Sequence, residues 1–259
     1  MLKLTEILLN WMYNHIPQPP RNPKGGRPRT DQRKALAGIL WILDNGAKWR
    51  CLPREFGSKS AVHRAFQRWR RAGVFERMLQ AAGQLIERRG QYKLYECFID
   101  GAFSPARGGG DGVGKTKAGK GVKMVMLVDA QGLPVAVQTA SATPHEATLV
   151  EDLFARVLTK ELPLRVIGDK AYDSDRLDAA LAQRGVELIA PHRRSRRPER
   201  QTQDGRPLRR YRRRWTVERT FAWLRHFRRL EVRHEKSIAH FRAFLHMACT
   251  YLLLKQVLG

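Results

Sequence analysis

Three carboxylates, far apart in the chain, carry the chemistry this sequence offers. Asp100 follows the apolar residues of CFID and precedes GAF, and Asp169 follows LRVIG and precedes KAYDSD. Each is placed to end a strand, where open α/β sheets hold their sites, although a lone aspartate there also serves as a turn or helix cap. Glu218 lies in YRRRWTVERTFAWLR. Read as one helix, that segment puts Tyr211, Arg214, Glu218 and Arg225 within about 60° of arc, with Val217, Phe221 and Leu224 beside them to pack on a sheet. Three carboxylates drawn together raise one another's pKa, so the ionised set is favourable only with cations. Hard oxygen donors select Mg²⁺ or Mn²⁺. Two such ions about 3.5–4 Å apart activate an attacking oxygen and stabilise a leaving one in phosphoryl transfer. Asp100, Asp169 and Glu218 are therefore the candidate catalytic residues and ligands of two ions. Asp173 and Asp175 compete for the second place, and Asp173 also reads as the N-cap of the next helix.

The charge balance names the partner. The 259 residues carry 49 Lys and Arg against 24 Asp and Glu, a formal net charge of +25. Residues 193–242 alone hold eighteen basic against five acidic residues. Such an excess fits a polyanion, and double-stranded DNA is the expectation. No apolar run approaches the roughly 18–20 residues of a membrane helix and the start does not read as a secretory signal, so a cytoplasmic, nucleoid-associated protein is expected. Cys51, Cys97 and Cys249 fit neither a disulfide framework nor a zinc site and read as reduced residues in or near the core. Residues 108–121 lack the spacing of a phosphate-binding nucleotide loop and read as a flexible loop that grips DNA through Lys115, Lys117, Lys120 and Lys123. The stretch PPRNPKGGRPRT, with Arg27 and Arg29, reads as an extended DNA-binding arm or a plain linker. His145 and Glu146 open a helix in a capping or supporting role. Trp215 and Trp223 are candidates for base stacking, with helix packing the better reading for Trp223.

The elements that must position these residues fall into two groups. Leu4, Leu8 and Trp11 mark a first helix ended by Pro17, Pro19 and Pro20. Thr30 reads as the N-cap of a helix with Leu36, Ile39, Leu40 and Leu43 on its apolar face and Gly46 just past its end. After Ser58, Val62, Ala65, Phe66 and Trp69 form the buried stripe of a helix that presents Lys59, Arg64, Arg68 and Arg71. Phe75, Met78, Leu79, Leu85 and Ile86 mark one more, closing a helical DNA-binding domain over residues 1–90 of helix-turn-helix type. LYECFIDGAF, VKMVMLVDA and LPVAVQTA then read as a strand meander. A helix over 146–157, a strand LRVIGD, a helix over 175–183, a strand VELIAP and long helices over 212–229 and 237–254 complete a mixed α/β sheet covered by helices, residues 91–259.

Tyr211, Arg214, Glu218 and Arg225, spaced by two, three and six residues, resemble the YREK signature of DDE transposases from bacterial insertion sequences, with arginine where that family usually has lysine. DGAF and GDKAYDSD resemble its two aspartate regions, and GKTKAGKGVKM its basic segment after the first. The front, from GRPRTD through ILWILDNGAKWRCLPREFG, resembles the helical domain of the insertion-sequence-five family. The resemblance covers nearly the whole chain. It implies an RNase H-like catalytic domain, terminal inverted repeats as substrate, a homodimer on paired ends, metal ligation by Asp100, Asp169 and Glu218, and DNA contacts from Tyr211, Arg214 and Arg225. A non-enzymatic DNA-binding regulator or inactive transposase derivative, and an RNase H-like nuclease or resolvase, remain open as alternatives.

Overall fold

The computed structural model describes residues 5–18, 30–201 and 205–258; Leu4, Arg27, Arg29 and most of the proposed arm lie outside them. The front of the chain is helical: α1 (Glu6–Asn14), α2 (Gln32–Asn45), α3 (Lys59–Arg71) and α4 (Val74–Arg88). Helix α2 is capped by Asp31 and not by Thr30, because the Asp31 carboxylate accepts the N–H groups of Arg33 and Lys34 at 2.8 and 3.1 Å. Gly46 ends it in the left-handed region at φ 65°, and a Cβ there would also meet Arg228 at 2.9 Å. Helix α3 buries Val62, Ala65, Phe66 and Trp69 as its periodicity requires.

The sheet that follows contains β1 (Cys97–Pro105), β2 (Gly114–Thr116), β3 (Gly119–Val128), β4 (Pro134–Ser141), β5 (Arg165–Ile167) and β6 (Glu187–Ile189). Its order is β4-β3-β1-β5-β6, with short β2 on the start of β3. β1, β3 and β4 are antiparallel, whereas β5 runs parallel to β1 and β6 parallel to β5. One face is covered by α5 (Val150–Phe154) and α6 (Asp175–Ala182), whose Leu153, Phe154, Leu177 and Leu181 meet Ile99, Val125 and Leu127. The other face holds Phe98, Met124, Met126 and Val128 against α8 (Trp215–Arg225) and α10 (Ile238–Leu258).

Helix α10 is apolar nearly all round, which suits a helix with partners on every side. The same cluster of buried side chains takes in α1 to α4, so the front helices and the sheet share one core through α10. Arg229, on α9 (Arg228–Glu231), adds a polar tie: it pairs with Glu235 at 2.6 Å and donates to the Ala47 carbonyl at 2.8 Å.

Four local expectations are corrected. Residues 108–121 are not a loop throughout, because Gly114–Thr116 pairs with Gly119–Gly121 as a hairpin, its turn closed by Thr116. The helix over 146–157 divides into a 3₁₀ turn, Glu146–Leu149, and α5. The long helix over 212–229 is a 3₁₀ segment, Arg209–Arg214, after α7 (Gly205–Leu208), then α8 and α9, with Phe227 extended between the last two. A 3₁₀ helix brings residues i and i+3 to one side, and here both Arg210 and Arg213 reach the fully buried Glu96, at 2.8 and 2.5 Å. Finally, Cys51 is exposed, while Cys97 and Cys249 are buried.

Candidate active site

Asp100 is the fourth residue of β1 rather than its end, paired in register with Met126 on the face that α8 covers. The parallel pairing of β1 with β5 stops at Phe98 and Ile167. Beyond it the chain leaves β1, and Asp169 becomes a charged neighbour of Asp100. Asp169 caps the 3₁₀ turn Lys170–Tyr172, its Oδ1 accepting the Ala171 N–H at 2.7 Å. Ser174, not Asp173, caps α6. Asp173 is only 3% exposed and is bonded to His192, Arg193 and Arg196, so Asp169 is the carboxylate that stays with Asp100.

Arg214 joins the third carboxylate to this pair. Its Nη1 donates to Asp100 Oδ2 at 2.8 Å, its Nη2 donates to Glu218 Oε1, and its guanidinium lies 5.6 Å from the Tyr211 ring centre. Burial works against the Arg214 charge, but Asp100, Tyr211, Glu218 and Asp169 outweigh it and hold the pKa above its ordinary value. Burial raises the Asp100 pKa to about 6; the Gly101 N–H and Arg214 oppose the rise, while Asp169 and Glu146 add to it.

Glu146, read as a capping or supporting residue, belongs to this neighbourhood. It approaches from the opposite layer over Gly101, where a Cβ would stand 2.8 Å from its Oε1. No periodicity signalled it; the clue was a glycine directly after the strand aspartate. Lys123 is held in β3, 3.3 Å from Glu146 and donating to the Pro144 carbonyl at 2.9 Å, so it is not a mobile DNA grip. Burial, then the charges of Glu146, Asp100 and Asp169, push the Tyr172 hydroxyl well up from its usual range.

The donors suit a hard divalent ion in chemistry and in charge. All are carboxylate oxygens, and one guanidinium answers three carboxylates. Asp169 and Glu218 each bond through one oxygen and keep the other outside the hydrogen bonds of the described residues. With Arg214 seated between Asp100 and Glu218, no three His, Cys, Asp or Glu side chains among the described residues stand close enough to hold one ion.

The other candidates surround this centre. Arg225, exposed, ends α8 seven residues past Glu218, roughly 10 Å along the axis. Lys115, Lys117 and Lys120 are exposed on the hairpin, and Lys59, Arg64, Arg68 and Arg71 are exposed on α3. Trp223 is only partly covered, 37% exposed at the rim of a pocket with Leu133 and Tyr251, and Trp215 is 54% exposed. Arg219 lies between them, 4.7 Å from the Trp215 ring and 4.9 Å from that of Trp223.

The mixed β-sheet covered by helices, with the acidic centre on one of its faces, is an α/β protein of RNase H-like fold. Residues 92–253 match the model described as "Transposase DDE domain", and the chain belongs to that family. Residues 4–79 match a second model, "Putative transposase of IS4/5 family (DUF4096)". The chain is 36% identical over 141 residues to the "Putative transposase for insertion sequence element IS402" of Burkholderia cepacia, an alignment covering 51% of this chain and 63% of that protein. It is 29% identical over 133 residues to the "Putative transposase for insertion sequence element IS6501" of Brucella ovis, covering 51% of this chain and 98% of that one. Among solved structures, a piggyBac transposase synaptic complex with hairpin DNA is similar in fold, with a TM-score of 0.54 at 12% identity, covering 95% of this chain and 70% of that one.

Proposed function

We propose that this chain is a DNA transposase that binds the terminal inverted repeats of an insertion sequence and performs metal-dependent strand cleavage and strand transfer. The observation that carries the reading is Arg214, which donates to both Asp100 and Glu218 and lies over the Tyr211 ring, with Asp169 a charged neighbour of Asp100. Asp100, Asp169 and Glu218 would hold two Mg²⁺ or Mn²⁺ ions, which when bound supply charge for an in-line phosphoryl displacement. Arg214 and Tyr211 bind and orient the phosphate at the cut, Arg225 holds the strand farther along α8, and Lys115, Lys117 and Lys120 meet the backbone from the hairpin. Residues 1–90 serve end recognition through Lys59, Arg64, Arg68 and Arg71, and residues 91–259 serve catalysis. What supports that division is the pair of family matches, one ending at 79 and the other beginning at 92. The working species is a homodimer on paired ends. No helix among the described residues is long and apolar enough to cross a membrane, and we place the protein on cytoplasmic DNA.

The test is strand cleavage of DNA carrying the inverted repeats that flank its own coding region. Cleavage is expected with Mg²⁺ or Mn²⁺ and none in EDTA, with DNA retained in a gel shift under both conditions. Retention without cleavage in any metal would favour the non-enzymatic regulator. For end recognition, Arg64→Ala combined with Arg68→Ala should weaken binding and reduce the slope of log affinity against log salt by about 2, since each lost phosphate contact removes about one unit. An unchanged slope would remove α3 from the interface.

A further inference from the structure

We propose that Asp173 is a positioning residue for Asp169, acting through Arg193 on the one peptide plane that orients the Asp169 carboxylate; the inference rests on the transposase reading above. Asp169 is mounted on a 3₁₀ turn of three residues, Lys170–Tyr172, too short to fix its own orientation. The Ala171 N–H that holds Asp169 Oδ1 belongs to the same planar peptide as the Lys170 carbonyl. That carbonyl accepts Arg193 Nε at 2.9 Å, and the next one, Ala171, accepts Arg193 Nη2 at 2.9 Å. One planar guanidinium therefore grips two successive carbonyls, and the peptide between Lys170 and Ala171 cannot rotate without breaking the grip.

Arg193 is itself fixed by Asp173. The Arg193 backbone N–H donates to Asp173 Oδ2 at 2.8 Å, while Asp173 Oδ1 meets His192 Nδ1 at 3.0 Å and accepts Arg196 Nη1 at 2.6 Å. The Asp173 side chain is nearly inaccessible and its bonds run to His192, Arg193 and Arg196, so it serves the reaction through what it holds. The loop closes on itself: Asp169, its peptide, Arg193, Asp173, and back along four residues of chain. Supporting hydrogen bonds of this kind orient a metal-ligating carboxylate, and their loss costs about 10- to 100-fold in metal affinity.

The experiment compares full-length wild type with Asp173→Ala, Arg193→Ala, Arg193→Lys, the Asp173→Ala/Arg193→Ala double variant and Asp169→Asn. Mn²⁺ affinity is read from the free-ion paramagnetic signal, beside thermal melting and the Mg²⁺ dependence of cleavage. Asp173→Ala and Arg193→Ala are each expected to weaken Mn²⁺ about tenfold or more. The double variant should be no worse than either single one, because both break one path. Arg193→Lys should not rescue, since a point charge cannot grip both carbonyls. Should Asp173→Ala fail to melt cooperatively, Arg193→Ala carries the test alone, as it removes a partly exposed side chain. Wild-type Mn²⁺ affinity in a folded Asp173→Ala or Arg193→Ala protein overturns the positioning role. If Asp169→Asn also binds Mn²⁺ like wild type, it is the assignment of Asp169 as a ligand that fails, and this inference falls with it.

Discussion

Replacing Asp100 by Asn should lower strand cleavage by at least about a thousandfold while leaving DNA binding intact or tighter. A bound divalent ion contributes several kcal/mol of transition-state stabilisation, and each 1.36 kcal/mol is tenfold in rate. The amide keeps the shape of the side chain, but its single oxygen accepts from either Gly101 N–H or Arg214 and not both, so the loss is ligand charge together with one local hydrogen bond. Asp169→Asn and Glu218→Gln should fall similarly, Asp169 because its free oxygen is the one left for an ion, and Glu218 because it shares Arg214 with Asp100. Removing a negative charge from a basic surface does not weaken attraction to phosphate. Gel shifts in EDTA beside cleavage assays in Mg²⁺ separate the two effects. An Asp100→Asn protein that cuts at the wild-type rate would remove Asp100 from the centre, and a variant that loses both activities would point to misfolding.

Legibility differed between parts of this molecule for physical reasons. Helices α3 and α4 and the three long strands follow from their apolar periods, since burial repeats every turn or every second residue and leaves the same mark in any chain. Spacing puts Glu218 and Arg214 on one side of the chain, although the single helix it implies differs at its start. Tyr211 and Arg214 sit on a 3₁₀ turn set by Glu96, a partner more than a hundred residues away that no local pattern reports. Asp31 displaced Thr30 as a cap because two adjacent residues both had capping chemistry and only geometry decides between them. Trp223 is more exposed than an indole packed inward, at 37%, because Arg219 lies over its face and its edge lines an open pocket beside Leu133 and Tyr251. Glu146 fits the supporting role read for it, but which carboxylate it supports was not legible, because it arrives through the absence of a side chain at Gly101.

The unpaid charge at the centre makes a second large prediction, about stability. Asp100 has a pKa of about 6 when folded against an ordinary 3.8. Between those two values the folded chain holds a proton that the unfolded chain has released. The stability this group contributes is therefore complete below about pH 3.8 and is lost as pH rises through 6. Two units or so of shift amount to about 3 kcal/mol, and Asp100 is enclosed enough for solvent to discount that figure little. Asp100→Asn, having no charge to bury, does not incur this cost. In EDTA its urea-unfolding free energy should exceed that of wild type by up to about 3 kcal/mol at pH 8, the gap narrowing as pH falls through 6 toward 4. Millimolar Mg²⁺ should recover stability for wild type at pH 8 and not for the variant, because an ion that binds only the folded centre adds stability that grows with the logarithm of its concentration above Kd. Parallel curves for the two proteins from pH 4 to 8 would mean that Asp100 is ionised in the folded chain as easily as in water. The centre would then hold no electrostatic debt for a metal to relieve. That cost separates a site built to bind cations from a surface that merely contains carboxylates: the fold buries Asp100 first, sets Asp169 and Glu146 beside it second, and a bound cation offsets both.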